Sequence, residues 1–213
     1  AMPWIGRVPA VLEAWFSGSE AGNALADVVF GAVNPSGKLP FTFPVRLEDN
    51  SAHALGEYPG GDTVTYNESI FVGYRWHDKE RLEPLFAFGH GLSYTTFAVG
   101  NVKADRTTLA SKGSIRISAD VTNTGDRAGA EVVQLYIGDE QSSLPRPVKE
   151  LKGFRKIALD PGQTQTVTFE ITPDMLRYYD DAKGAWVAEP GAFTAYVGVA
   201  SDDIRGTVGF ELK

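Results

Sequence analysis

The sequence predicts a mainly-β protein: a β-sandwich preceded by a helix-containing α/β segment and a long linker. Three observations lead there. Beyond Tyr94, apolar residues alternate at the two-residue period of a strand. Turn signals recur at sandwich-like intervals, at Asn123-Thr124-Gly125-Asp126, Asp160-Pro161-Gly162 and Glu189-Pro190-Gly191. Before Phe86-Ala87-Phe88-Gly89-His90-Gly91-Leu92-Ser93-Tyr94 the spacing is instead mixed, partly helical and partly extended.

In chain order, Val8 to Trp15 is apolar and short, and reads as a buried strand rather than one helical turn. Ala21, Ala24, Leu25, Val28 and Val29 recur at three and four, so Ser19 to Phe30 reads as a helix with one buried stripe. Ser19 is its expected cap and Gly31 its stop. Asn34-Pro35-Ser36-Gly37 is a turn, and Leu39 to Pro44 an extended edge segment limited by its prolines. Val45 to Thr65 is polar and glycine-rich, far longer than the usual connection of about 4–6 residues, and is expected to drape over a neighbour. Tyr66 to Trp76 alternates, with Ile70, Val72 and Tyr74 on one face, and reads as a strand covered on both sides.

Downstream, strands are expected near Phe97 to Ala104, Ser114 to Thr122, Glu131 to Gly138, Val148 to Leu159, Gln165 to Thr172, Phe193 to Val199 and Thr207 to Leu212. Tyr178-Tyr179 and Trp186 are expected to form a hairpin. Ile115, Ile117, Ala119 and Val121 alternate with Arg116, Ser118 and Asp120, as in a sheet with one wet face. Two antiparallel sheets packed face to face satisfy this pattern. About a dozen inward Val, Ile and Phe residues, each worth about 1.5–3 kcal/mol on burial, suffice for this half to fold by itself. The first half owns a helix, a short strand and an arm, too little to cover its own apolar faces.

Composition removes whole classes of function. The chain of 213 residues carries 27 acidic against 20 basic side chains, a net charge of −7, which repels phosphate backbones and anionic lipid. Neither nucleic acid nor a membrane is expected as a partner, and no apolar run approaches the roughly 20 residues that span a bilayer. Cysteine is absent, so disulfides, thiolate nucleophiles and Cys-ligated metals are excluded. The abrupt Ala1-Met2-Pro3-Trp4 opening reads as a cut inside a longer protein.

No chemical motif is complete. His53, His77 and His90 share no ligand spacing, so neither a metal nor a cofactor is expected. His90, between two glycines, reads as a backbone-bonded turn residue before it reads as a base. Gly18-Ser19-Glu20-Ala21-Gly22 and Gly91-Leu92-Ser93-Tyr94-Thr95 only approach a nucleophile elbow, which leaves an esterase on Ser93 and His90 the weakest reading. Glu13, Glu20, Glu57, Glu68, Asp78 and Glu83 are candidate glycosidase carboxylates, with no spacing that selects two of them. Trp4, Trp15, Trp76 and Trp186 are candidates for a sugar-stacking platform, and equally for core. Asn67-Glu68-Ser69 matches a glycosylation acceptor, a pattern common by chance.

Several stretches taken together resemble the C-terminal part of glycoside hydrolase family 3. They are Met2-Pro3-Trp4, Val8 to Trp15, Gly22 to Gly31, Asn34 to Pro40, Val72-Gly73-Tyr74-Arg75, Phe88 to Thr95 and Pro147 to Phe154. Ala87 stands where that family often has Pro, and Ser19 where Gln is frequent. The resemblance implies three parts: residues 1–45 as the end of an α/β sandwich domain, 46–95 as a linker, and 96–213 as an immunoglobulin-like, fibronectin type III-like module. It implies a retaining β-glycosidase of β-glucosidase type as the parent enzyme, acting on a β-glucoside or oligosaccharide. Both catalytic carboxylates would lie in upstream domains of the same protein, leaving no catalytic residue in this chain. A carbohydrate-binding or protein-interaction module standing alone is the competing reading, motivated by the tryptophans.

Overall fold

The computed structural model describes residues 1–213. Ten strands follow in order: β1 (Phe97–Ala104), β2 (Thr108–Leu109), β3 (Ile115–Asn123), β4 (Gly129–Asp139), β5 (Glu150–Leu159), β6 (Thr164–Ile171), β7 (Tyr178–Asp180), β8 (Ala185–Val187), β9 (Gly191–Gly198) and β10 (Ile204–Leu212). They form a three-stranded sheet β1-β3-β6, a five-stranded sheet β2-β10-β9-β4-β5 and the separate hairpin β7-β8. All pairings are antiparallel except the two-residue contact of β2 with β10, which is parallel. The sequence carried no sign of β2, because two residues are too few to show a period.

The alternation read in the sequence is the alternation observed. Ile115, Ile117 and Ala119 of β3 stand opposite Ile171, Phe169 and Val167 of β6, and all six are buried. In the facing sheet Leu135 and Ile137 of β4 pair with Val197 and Ala195 of β9, while Phe193 stacks on Phe210 of β10 at 5.7 Å. These side chains form one core of 18 buried residues. The 3-10 turn Pro173–Leu176 adds Leu176 to it, so the sandwich also contains a helical turn that strand patterning did not reveal. The expected turns lie between β3 and β4, between β5 and β6 with Gly162 at φ +73°, and before β9.

The first 94 residues depart further from expectation. Helix α1 (Ala21–Val29) and its stop at Gly31, φ +78°, are present. Glu20 rather than Ser19 holds the cap position and makes no capping bond. No residue of α1 is buried, so its apolar stripe faces outward. Val8 to Trp15 is not a strand: no other segment offers it an edge to pair with, and Trp15 adopts φ +47°. The segment 45–65 holds a 3-10 turn, Leu47–Asp49, and a short helix α2 (Ser51–Ala54), whose Asn50 cap accepts from Ala52 N.

Tyr66 to Trp76 is not a strand either. Turns run to Ser69 at φ +54°, Gly73 adopts φ +57°, and helix α3 (Tyr74–Glu80) begins there, ending on Arg81 in the left-handed region. Gly73 removes the steric obstacle to that reversal, so the alternation stops short. Ile70 and Val72, expected to be covered, are exposed, whereas Trp76 and His77 are buried.

Burial divides the chain sharply. Of 26 exposed large hydrophobic residues, 21 lie at or before Tyr94, whereas 20 of the 22 buried apolar residues lie after it. The module therefore supplies its own core, and the leading segment leaves its apolar residues unburied.

Candidate functional site

The most elaborate arrangement of polar side chains is the seam where the leading segment crosses the five-stranded sheet. Alternate residues of β4, Val133, Leu135 and Ile137, enter the core, which sends Gln134 and Tyr136 to the opposite face. That face is not wet. Gln134 and Tyr136 are almost fully buried, and Tyr74 and Phe88 of the leading segment pack around Tyr136 and each other.

Gln134 is the hub. Its amide nitrogen donates to Val199 O at 2.6 Å and to Gly89 O at 3.3 Å, while its amide oxygen accepts from the Tyr136 hydroxyl. Burial pushes the Tyr136 phenol well above its usual range, so it remains a donor through the alkaline range. Gly89 adopts φ +84°, and a Cβ there would collide with the Gln134 amide. Gly91 is packed as tightly, against the Gly37 carbonyl. These close approaches explain two glycines of the Gly89-His90-Gly91 stretch.

Other latches flank this hub. Lys38 bridges Glu131 at 2.7 Å and donates to Gly91 O at 2.8 Å. Asn34 accepts from Ser93 Oγ and Tyr94 N and donates to Ala128 O. Asn123, fully buried, donates to Arg127 O and Leu159 O and accepts from Thr95 Oγ1 and Gly125 N. Helix α3 is fastened to β5 by Tyr74 Oη, which accepts from Leu151 N, by Arg75 with Glu150 at 3.2 Å, and by Asp78 with Lys149 at 2.6 Å. Glu150 also takes Arg146 and Lys152. Burial works to raise its carboxyl, but Lys152, Arg146 and Arg75 together hold it below the usual carboxylate range.

The candidate chemical residues are scattered. His53 stacks on Tyr58 at 4.8 Å, His77 sits in α3 with Nδ1 3.2 Å from Leu82 O, and His90 stacks on Phe86 at 5.4 Å. No group of three or more His, Asp or Glu residues is placed to hold a metal ion. His90 carries its role in the backbone: its carbonyl accepts from Leu39 N. Ser93 donates to Asn34, with no bond to His90. Ser19 lies in the turn before α1.

Among the carboxylates, Glu13 accepts from Trp15 N, Glu20 from Asn23, Asp78 pairs with Lys149, and Glu83 is exposed. Glu57 accepts from Asn67 N at 2.8 Å and from Thr65 Oγ1 at 3.4 Å, and Glu68 is partly buried in the turns before α3. Each bonded carboxylate serves a separate partner, so the six do not single out the acid and nucleophile of a glycosidase. Nor do the tryptophans share a platform. Trp76 is buried, Trp15 is edge-on to Phe41, Trp4 lies at the N-terminal end, and Trp186 faces Tyr179 on the β7-β8 hairpin.

Sequence reasoning missed Asn34, Asn123, Gln134 and the Lys38–Glu131 pair, which do most of the fastening. Asn34 and Asn123 looked like ordinary turn residues. Gln134 lies in a strand expected from the sequence, and nothing in its own neighbourhood says that a distant segment covers it.

Comparison with known proteins accounts for this design. Residues 1–94 match the model of the glycosyl hydrolase family 3 C-terminal domain, and residues 131–201 that of the fibronectin type III-like domain. The chain is 52% identical to β-glucosidase BoGH3A of Bacteroides ovatus over 99% of its own length and 28% of that relative's. It is 48% identical to thermostable β-glucosidase B of Acetivibrio thermocellus over 95% of its length and 27% of the relative's. The crystal structure of DesR, a β-glucosidase from Streptomyces venezuelae in complex with D-glucose, superposes with a TM-score of 0.92 at 39% identity, covering 100% of this chain and 27% of that one. The chain thus spans little more than a quarter of the relatives it matches, and corresponds to their C-terminal part. Both halves of the seam are accounted for by one assignment: the chain belongs to glycoside hydrolase family 3, of which it carries C-terminal-domain sequence and the fibronectin type III-like domain.

Proposed function

We propose that this chain is the bracing section of a retaining β-glucosidase, with both catalytic carboxylates in upstream domains of the same protein and no metal or cofactor of its own. In this reading residues 1–45 are the end of an α/β sandwich domain, 46–95 a linker and 96–213 the module. The substrate of the intact enzyme is a β-glucoside or oligosaccharide, hydrolysed through a glycosyl-enzyme intermediate. The observation that carries the reading is the division of burial. The module has a complete core, whereas the first 94 residues expose Phe16, Val29, Phe30 and most of the other uncovered apolar side chains. Patches of that kind belong against another body. The seam then transmits the module's stability to the segment that packs on the catalytic domains.

General acid assistance alone is worth about 10²–10⁴-fold in rate, so a polypeptide without either carboxylate has no meaningful turnover. Incubating this chain with an aryl β-glucoside is expected to release no aryl alcohol above background. Enzyme-like turnover that survives repurification would refute the proposal.

A second reading, a carbohydrate-binding module, draws on one observation: Trp186 and Tyr179 stand side by side, 5.7 Å apart and largely exposed. Titration with cellobiose or xylan, followed by tryptophan fluorescence, separates the two, since a brace gives no saturable response.

A further inference from the structure

We propose that the open edge of β5 is a docking site for an extended, acidic segment of a partner protein, which adds a strand beside residues 153–158 and delivers a carboxylate to Lys152. Strand β5 ends the five-stranded sheet and pairs only with β4. At its start α3 covers the strand, since Leu151 N donates to Tyr74 Oη. Beyond that point, no backbone group of residues 153–158 bonds to any backbone segment other than β4. A row of donors and acceptors is left open, the template that a further strand completes.

Charge selects the partner. From Arg146 to Lys156 the chain has five basic residues and one acidic, although its net charge is −7. Arg155 and Lys156 are exposed, and basic side chains along an edge repel a second copy of β5 and attract an acidic strand. Lys152 is the extra residue of a β-bulge: Gly153 stands opposite Leu135 and Leu151 opposite Tyr136, which leaves Lys152 without a partner on β4. A bulge re-aims the side chain it carries. The Lys152 side chain is 18% exposed, and its ion pair, at 3.4 Å, is to the Glu150 oxygen that Arg146 already holds at 2.7 Å. Arg75, Arg146 and Lys152 share two carboxylates, Asp139 and Glu150, so one positive charge is left over. Burial presses the Lys152 ammonium below its usual range against the pull of Glu150, and Arg146 and Arg75 add to the pressure.

Shape agrees with charge. A cleft of about 180 Å³ lies at the β5 edge, lined by the apolar Leu135, Phe169 and Met175 and by the charged Lys152, Arg155 and Glu170. Two cations there face one anion, so an arriving carboxylate is drawn to Lys152. Gly153 keeps the cleft clear, because a Cβ there would stand 3.2 Å from Phe169. A strand glycine of this kind admits another backbone at close range. Beside the cleft Phe154, 62% exposed, offers an apolar flank to the next side chain of an added strand.

Titration of this chain with a blocked peptide of about seven residues, alternating Glu and Val, tests the assignment. Saturable binding is expected, with hydrogen-exchange protection rising at residues 153–158. Two peptides methylated on alternate sets of backbone nitrogens are expected to differ, one keeping its affinity and the other losing about tenfold or more, because only one set faces the edge. Lys152→Gln is expected to weaken binding about tenfold, and Arg155→Gln, at an exposed position, about threefold. No saturable response, equal affinity for a Lys–Val peptide, or indifference to methylation would overturn the proposal. Glutarate binding as tightly as the peptide would also overturn it, by making the cleft a small-anion site. Self-association in sedimentation that Phe154→Ser abolishes would do the same, by making the edge an interface between copies of this chain.

Discussion

Replacing Gln134 by Ala removes three hydrogen bonds at once from a buried site. Gly89 O, Val199 O and the Tyr136 hydroxyl all lose their partner, and the Gln134 side chain is about 3% exposed, so solvent does not readily replace it. An unsatisfied buried polar group costs about 1–3 kcal/mol. Even at the low end, with about 1 kcal/mol for each group, the loss is about 3 kcal/mol, a large share of a domain's net stability of about 5–15 kcal/mol. Tyr136→Phe leaves only the Gln134 amide oxygen without a donor and is expected to cost about 1–2 kcal/mol. Because the two side chains satisfy each other, the double variant should cost less than the two single losses combined, with a coupling of at least about 0.5 kcal/mol. Urea unfolding followed by tryptophan fluorescence reports on the seam, since Trp76 is buried on α3 while Trp4, Trp15 and Trp186 are already exposed. Circular dichroism reports on the sandwich. A Gln134→Ala variant within about 0.5 kcal/mol of wild type, or strict additivity with Tyr136→Phe, would refute the claim that this pair fastens the leading segment to β4.

Further outcomes follow from the same contacts. Gly89→Ala, at φ +84° and against the Gln134 amide, should lower stability by about 2–3 kcal/mol and expose the Phe86 to Tyr94 stretch to proteolysis. Glu150→Gln should cost about 2 kcal/mol, because Arg75, Arg146 and Lys152 are left facing a neutral group, as measured by thermal unfolding at neutral pH. Since the Glu150 carboxyl is held low in the fold, its contribution is present above the ordinary carboxylate value and lost as pH falls through the lowered one. The wild type should therefore lose more stability than Glu150→Gln below about pH 4. Trp186→Ala should leave the unfolding midpoint within about 0.5 kcal/mol of wild type, since the indole is mostly in solvent.

The sandwich was legible because strand alternation is a local property. Ile115, Ile117, Ala119 and Val121 declare their face without reference to any other segment, and the Pro-Gly turns mark where each strand must end. The hairpin of Tyr178-Tyr179 with Trp186 was readable for the same reason: Tyr179 stands directly opposite Trp186. The leading segment was less legible. Val8 to Trp15 and Tyr66 to Trp76 have strand-like composition, but a strand exists only where a partner offers hydrogen bonds, and no partner is present at either place. The family was legible in motifs spread along almost the whole chain, each of them short.

The sequence by itself determined the core of the module, its turns, the absence of thiol chemistry and the excess of apolar residues ahead of Tyr94. Only the tertiary structure decided which polar residues matter. Gln134 and Asn123 acquire their roles from carbonyls at Gly89, Val199, Arg127 and Leu159, and Glu57 acquires its own from the returning Asn67 N–H. Hydrophobic burial is read from periodicity along the chain. Hydrogen-bond partnership depends on which distant backbone arrives, and periodicity carries no record of that.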